Sequence, residues 1–131
     1  RQGEVAFDYE IVSLMRKDSM ELSAADRKLI RGAIEARDSR RFVITHGTDT
    51  MVETALALEG LADRVVVLTG ALSPARFQQS DAPINIGLAI AAAQTCSPGV
   101  YVAMNGRILS PRGLRTNRER NRFELLPGQG S

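Results

Sequence analysis

Runs of apolar residues divide this chain into blocks that predict strands and helices in alternation. Three short, continuous apolar runs, at residues 42–44, 65–68 and 100–104, are typical of strands that are covered on both faces. An alternating apolar and polar pattern over residues 5–14 predicts a further strand before them. Asn105 and Gly106 form a dipeptide that favours a hairpin turn after the last of the buried strands.

Between the strands, apolar residues recur at the spacing of one helix face. Ser23 predicts the amino-terminal cap of a first helix. Thr50 and Glu53 have the spacing of a capping box and predict a second helix over about residues 50–61. Pro83 follows the predicted start of a third helix, which runs to about residue 94.

This alternation predicts a single α/β domain with a mostly parallel, doubly wound sheet, a Rossmann-like or flavodoxin-like three-layer sandwich. The predicted domain covers residues 1–125, and the segment 126–131, rich in glycine, predicts a flexible tail. Ligands of such sheets bind beyond the carboxyl ends of the strands. A candidate site is therefore sought in the loops that follow the strands.

Polar residues cluster in three of those loops, at Asp18–Ser19, at residues 45–50 and at residues 69–80. Because parallel strands end at one edge of a sheet, the three loops are expected to surround one pocket. Thr48 and Asp49 supply a hydroxyl and a carboxylate next to each other at a helix start. An alternative interpretation is that both side chains only cap that helix.

The charge, the cysteine content and the lengths of the apolar runs limit the partners and the location that this chain is expected to have. The formal net charge is +2, although six arginines lie within residues 107–124, and a polyanion-binding strip there ranks last among the interpretations. One cysteine, Cys96, excludes an internal disulfide and fits either a reducing compartment or indifference to redox; a cytoplasmic location is expected. No apolar run reaches the roughly 18 residues of a membrane helix. No nucleic-acid or membrane partner is expected.

Metal and nucleotide sites have no support in the sequence. His46 is the only histidine and Cys96 the only cysteine, so the usual ligands of zinc are too few. A lone histidine in a turn favours a structural hydrogen-bonding role. Glycine-rich phosphate-binding motifs are absent, and no Gly-x-Ser-x-Gly motif supports a serine hydrolase triad.

Several motifs resemble those of one known family. Residues 44–50 read Ile-Thr-His-Gly-Thr-Asp-Thr, residues 67–74 read Val-Leu-Thr-Gly-Ala-Leu-Ser-Pro, and residues 80–85 read Ser-Asp-Ala-Pro-Ile-Asn. These segments, with the strand at residues 100–105, resemble the bacterial-type L-asparaginase/glutaminase family. In length the chain is similar to its short, single-domain members. The resemblance implies hydrolysis of a side-chain amide with release of ammonia, on a small amino-acid substrate, without cofactor or metal.

The resemblance also implies roles for individual residues. Thr48 would position or activate the attacking species, and Asp49 would orient it and bind the α-amino group. The Gly47 backbone and the Ser19 hydroxyl would hold the α-carboxylate, and the Ala71 carbonyl would lie beside the amide. The implied site residues are catalytic Thr48 and Asp49 and substrate-binding Asp18, Ser19, Gly47 and Ala71.

The sequence departs from the family pattern in three ways. The Thr-Gly-Gly-Thr-Ile strand, which carries the primary nucleophile in the family, is absent. The position of the family lysine is occupied by Arg115 or Thr116, depending on the alignment, and the second domain is missing. Because a first strand normally lies inside such a sheet, we expect this chain to be part of a longer polypeptide.

Three functions follow from these observations. The first is an asparaginase-like amidohydrolase. The second is a catalytically impaired amino-acid-binding or regulatory module, which the departures favour. The third is an amide-hydrolysing subunit of an amidotransferase. The resemblance also implies a homodimer or tetramer, in which a neighbour covers the open edge of the pocket.

Overall fold

A four-stranded sheet forms the middle layer of the molecule. The computed structural model describes residues 10, 12–15, 19–70, 81–117 and 122–125. The strands of the sheet are β1 (Arg41–Thr45), β2 (Val65–Thr69), β3 (Gly99–Met104) and β4 (Arg107–Leu109), in that order across the sheet. The first three are parallel, and β4 is antiparallel to β3.

Helices cover both faces of this sheet. The helices α1 (Ala24–Glu35) and α2 (Met51–Ala57) pack with one face, and α3 (Asp81–Thr95) packs on the other. The first core contains Ile30, Met51, Leu58, Leu68 and Met104, among others. The second is lined by small residues of α3 against Val65, Val67 and Ala103. The predicted three-layer α/β architecture is confirmed.

Burial differs between the three parallel strands. All five residues of β2 are buried, as its continuous apolar run predicts. The prediction that residues 42–44 are covered on both faces is wrong, because Val43 is 36% exposed. Among the described strands, β1 stands at the end of the sheet order, and only Phe42 and Ile44 reach the core beneath α1 and α2.

The two predicted helix caps have different outcomes. Ser23 caps α1 in a complete capping box: its hydroxyl oxygen accepts from the Asp26 N–H at 3.2 Å, and the Asp26 carboxylate accepts from the Ser23 N–H at 3.0 Å. The capping box of Thr50 and Glu53 is wrong. The Thr50 hydroxyl donates instead to the Ser19 carbonyl oxygen at 2.7 Å.

The second helix is also shorter than its apolar pattern predicts. A 3-10 turn, Thr48–Thr50, precedes α2, and the helix ends at Ala57 rather than near residue 61. Gly60 follows with a positive φ of 88°, a conformation that glycine adopts without steric cost. The Arg31 guanidinium donates to the Ala57 and Glu59 carbonyl oxygens at this helix end, where carbonyl groups lack partners within the helix.

The end of the chain contains a hairpin that the sequence predicts and a sheet that it does not. Asn105 and Gly106 both have positive φ, at 54° and 73°, and join β3 to β4 as a two-residue turn. The strands β5 (Leu114–Asn117) and β6 (Arg122–Leu125) then form a separate antiparallel pair. The backbone of β5 lies beside the Thr48–Thr50 turn.

The remaining predictions concern the chain termini. The strand predicted over residues 5–14 is not seen at residues 10 and 12–14, which have no regular structure, and its other positions lie outside the described residues. The tail predicted at residues 126–131 also lies outside them. Within the part of the chain that is described, no helix is long and apolar enough to cross a membrane.

Candidate functional site

The carboxyl ends of β1, β2 and β3 meet at one edge of the sheet and are joined there by hydrogen bonds. Thr45, Thr69 and Ala103 lie side by side in the strand register. Beyond them, the His46 N–H donates to the Thr69 carbonyl oxygen at 2.9 Å. The Thr69 hydroxyl donates to the Ala103 carbonyl oxygen at 2.7 Å. The loops that follow these strands therefore start from a fixed platform.

Asn85, in the first turns of α3, extends this platform. Its side-chain amide donates to the Gly70 carbonyl oxygen at 2.7 Å, and its amide oxygen accepts from the Asn105 N–H at 3.2 Å. The residue is 3% exposed, and both bonds are partly buried. This role was not predicted from the sequence, although an amide in an apolar helix is a signal that could have found it.

Gly70 marks the closest approach between the first two strand ends. A Cβ placed on this glycine would fall on the His46 carbonyl oxygen. Because backbone atoms cannot give way as a side chain can, only glycine fits there. The close approach sets the spacing between the loop after β1 and the loop after β2.

Ser19 meets Gly47 at the same edge. Ser19 begins a 3-10 turn, Ser19–Glu21, that the Thr50 hydroxyl ties to the loop after β1. A Cβ on Gly47 would lie 2.8 Å from the Ser19 Oγ, so the absence of a side chain lets the two residues touch. The loops at residue 19 and at residues 45–50 therefore converge, as the sequence predicts.

The Ser19 hydroxyl is the distinctive polar group of this contact. The residue is 4% exposed, and its Oγ has no hydrogen-bond partner among the described residues. A buried hydroxyl without a partner costs about 1–3 kcal/mol. Such a donor is suited to the anionic oxygen of a ligand, which would accept the hydrogen bond that the hydroxyl lacks.

Thr48 and Asp49 follow Gly47 directly, in the Thr48–Thr50 turn at the end of β1. Thr48 is 5% exposed and Asp49 is half-buried. The Met51 N–H donates to the Thr48 carbonyl oxygen and closes the turn. The loop after β1 thus carries a hydroxyl and a carboxylate, at Thr48 and Asp49. The Ser19 hydroxyl, from the neighbouring turn, contacts Gly47 directly before them.

The structure brings together four of the six predicted site residues. These four are Ser19, Gly47, Thr48 and Asp49. Asp18 and Ala71 lie outside the described residues, so their predicted roles stay predictions. Arg115 and Thr116, the alternatives for the family lysine, both belong to β5, which runs beside the turn that carries Thr48.

Behind this loop, His46 belongs to a partly buried chain of polar side chains. Its Nδ1 lies 2.6 Å from the Gly47 carbonyl oxygen and its Nε2 lies 2.8 Å from the Thr54 Oγ1. The Arg27 Nε donates to the same Thr54 oxygen at 2.9 Å. Neither Arg27 nor Thr54 was predicted from the sequence to take part in the site.

The surroundings of His46 lower its pKa below the ordinary value. Partial burial is the largest cause, and the nearby Arg27 charge acts in the same direction. The hydrogen bond to Gly47 and the charge of Glu53 oppose the shift but do not reverse it. The imidazole is therefore held mainly in its neutral form near pH 7.

The described residues place no group of metal ligands in this cluster, and the cavity that they line lies away from it. In the described part of the chain, no group of three or more histidine, cysteine, aspartate or glutamate side chains is placed to hold a metal ion. A cavity of about 260 Å³ lies at the opposite edge of the sheet, where β2 and β3 begin, between Arg64, Gly99 and Arg112. It does not belong to the Ser19–Asp49 cluster.

Comparisons with known proteins agree with this geometry. A family model described as "Asparaginase, N-terminal" matches residues 2–124. A protein named "Probable L-asparaginase periplasmic" from Haemophilus influenzae is 42% identical over 83 residues, which make up 60% of this chain and 24% of that protein. A glutamyl-tRNA(Gln) amidotransferase subunit from Methanococcus vannielii is 47% identical over 68 residues, covering 50% of this chain and 16% of that protein.

A solved structure supports the same likeness over nearly the whole chain. The thermostable L-asparaginase from Thermococcus kodakarensis superimposes with a TM-score of 0.81 at 30% identity. The superposition covers 95% of this chain and 40% of the other. The chain thus spans well under half the length of the relatives that it matches.

Proposed function

The chain belongs to the asparaginase family, and from this membership we propose that it forms the amino-acid-binding part of an amidohydrolase. The reaction is the hydrolysis of the side-chain amide of asparagine or a related small amide. The C–N bond of the amide breaks, water supplies the new carboxylate oxygen, and the nitrogen leaves as ammonia.

The observation that carries this proposal is the Ser19 hydroxyl, buried against Gly47 without a partner among the described residues. An amino-acid substrate is a zwitterion and needs a donor for its α-carboxylate and a carboxylate for its α-ammonium group. Ser19 supplies a buried donor, and Asp49, two residues after Gly47, supplies the carboxylate. Both belong to the edge where α/β sheets bind ligands.

Thr48 is the residue of this loop best suited to the reacting amide. Its hydroxyl can carry a proton or attack only when a neighbour polarises it. Asp49 is adjacent in sequence, and β5, with Arg115 and Thr116, runs beside the same turn. In the proposed reaction Thr48 positions the attacking species, and Asp49 binds the α-amino group and orients it.

Replacement of the Asp49 carboxylate tests this function directly. In the protein that carries this chain, Asp49→Asn is expected to lower ammonia release from asparagine at least tenfold, because the amide keeps the shape but cannot pair with the α-ammonium group. Asp38→Asn, at an exposed turn on the opposite edge, is the matched control and should leave turnover unchanged. Equal turnover of the two variants would refute the assignment.

A second candidate function is the amide-hydrolysing subunit of an amidotransferase. The observation that favours it is the 47% identity to the amidotransferase subunit from Methanococcus vannielii. In that case the ammonia passes to a second protein, so tagged protein purified from its own cells should retain a stoichiometric partner. A module that binds amino acids without turnover is separated from both by calorimetry, which would show aspartate binding with no ammonia release.

We also propose a homodimer or tetramer located in the cytoplasm. The exposed Met20 and Gly47, next to the buried Ser19 hydroxyl, support the homo-oligomer, since a second subunit would bury them. The single cysteine supports the cytoplasmic location. Light scattering after gel filtration and cell fractionation are the respective tests, and a monomer or a periplasmic protein would contradict them.

A further inference from the structure

The hydrogen bonds around His46 have only one consistent direction. The Gly47 carbonyl oxygen can only accept, so the 2.6 Å contact requires a proton on His46 Nδ1. The Arg27 Nε can only donate, so the 2.9 Å contact uses one lone pair of the Thr54 hydroxyl. The hydroxyl proton of Thr54 is then available for the bare His46 Nε2 at 2.8 Å.

We propose that Arg27 and Thr54 hold His46 as the Nδ1–H tautomer, and that this imidazole fixes the Gly47–Thr48 peptide beneath the amino-acid site. The three side chains are positioning residues, because none of them needs to touch the substrate. The effect on ligand binding rests on the proposed function, whereas the tautomer does not.

The fixed carbonyl determines the peptide group that joins two predicted site residues. A trans peptide is planar, so its N–H points away from its C=O, and the structure has no cis peptide among the described residues. When His46 holds the Gly47 carbonyl, the Thr48 N–H is therefore held on the opposite side. The orientation of Thr48 and Asp49 depends on this plane, since both follow it directly in the turn.

Protonation of His46 would break the arrangement. A proton on Nε2 would make Thr54 accept from both His46 and Arg27, and its own hydroxyl proton would need another acceptor. The new charge would also face the Arg27 cation from α1, and among the described residues Glu53 from α2 is the charge that offsets it. This conflict agrees with the lowered pKa of His46, because the hydrogen bonds to Gly47 and Thr54 fit only the neutral imidazole.

The tautomer can be observed directly by ¹⁵N NMR, because the chain has a single histidine. In protein labelled with ¹⁵N-histidine, the wild type is expected to show one protonated Nδ1 and one bare Nε2, with His46→Gln identifying the signals. Thr54→Val removes the donor to the bare Nε2, so it should shift the Nε2 resonance and weaken aspartate binding about tenfold, while Thr54→Ser should keep both wild-type properties. Arg27→Met should raise the His46 pKa above that of the wild type.

Two results would overturn the proposal. One is a wild-type spectrum with the proton on Nε2, and the other is an unchanged Nε2 resonance and aspartate affinity in Thr54→Val. If Thr54→Val does not fold, the wild-type spectrum and Arg27→Met, at a half-buried surface position, still decide the question. A wild type with the expected tautomer but no affinity for aspartate would refute the proposed function and leave the tautomer established.

Discussion

Removal of the Ser19 hydroxyl should make the folded protein more stable and its binding of an amino acid weaker. This hydroxyl is buried, and the described residues give it no hydrogen-bond partner to compensate its desolvation. An unsatisfied buried hydroxyl costs about 1–3 kcal/mol. Ser19→Ala removes it and keeps the backbone carbonyl that accepts from Thr50. We therefore expect the free energy of unfolding to rise by about 1 kcal/mol, after a small loss of packing.

The same substitution should weaken the ligand. A hydrogen bond to a charged group contributes about 1.5–3 kcal/mol, which corresponds to about a ten- to hundredfold loss of affinity for L-aspartate. Urea unfolding and titration calorimetry measure the two effects. Ser23→Ala is the matched control: its hydroxyl caps α1, so its loss should cost about 1 kcal/mol of stability and leave binding unchanged. Ser19→Ala that loses stability as Ser23→Ala does, or that binds aspartate normally, would refute the reasoning.

Three further predictions use single features of the structure. Gly70→Ala should lower the free energy of unfolding by about 3 kcal/mol or more, because its Cβ meets the His46 carbonyl. Gly87→Ala, on an open helix surface, is the control and should raise the free energy of unfolding by about 0.5–1 kcal/mol. Denaturant titration measures both variants. Asn85→Ala should cost about 1–3 kcal/mol, since the Gly70 carbonyl and the Asn105 N–H lose their partly buried hydrogen bonds, and wild-type stability in that variant would contradict the platform. Stability should also depend on His46 below its ordinary pKa of about 6.5. Since the folded pKa is lowered, the unfolded chain takes up the proton first, and the free energy of unfolding falls as the pH drops from about 6.5 towards the folded pKa. His46→Gln should flatten that part of the pH profile.

The sequence was sufficient to predict the layers of the fold and the order of most elements. Continuous apolar runs locate β2 and β3 because both strands lie inside the sheet, between neighbouring strands. The same rule fails for β1, where the apolar run is just as short but one face is exposed. Burial of a strand depends on its place in the sheet, and a local pattern does not contain that place.

The site was predictable to the extent that its residues are consecutive in the sequence. The order Gly47, Thr48, Asp49 at the end of a strand was enough to place them together. Thr50 was misread as a cap because its actual acceptor, the Ser19 carbonyl, is 31 residues away. Arg27 and Thr54 were missed for the same reason, since each reaches the site through contacts between separate helices and the loop after β1.

The hydrogen bond from Thr50 to Ser19 has a consequence for how the Ser19–Asp49 cluster forms during folding. It closes a loop that contains all of α1, so the entropy of closing that loop is offset only after the helix has packed on the sheet. A peptide with the whole Gly47–Asp49 motif would lack the Ser19 side of this cluster. Affinity for an amino acid should therefore appear late in refolding, together with the native sheet rather than with its helices.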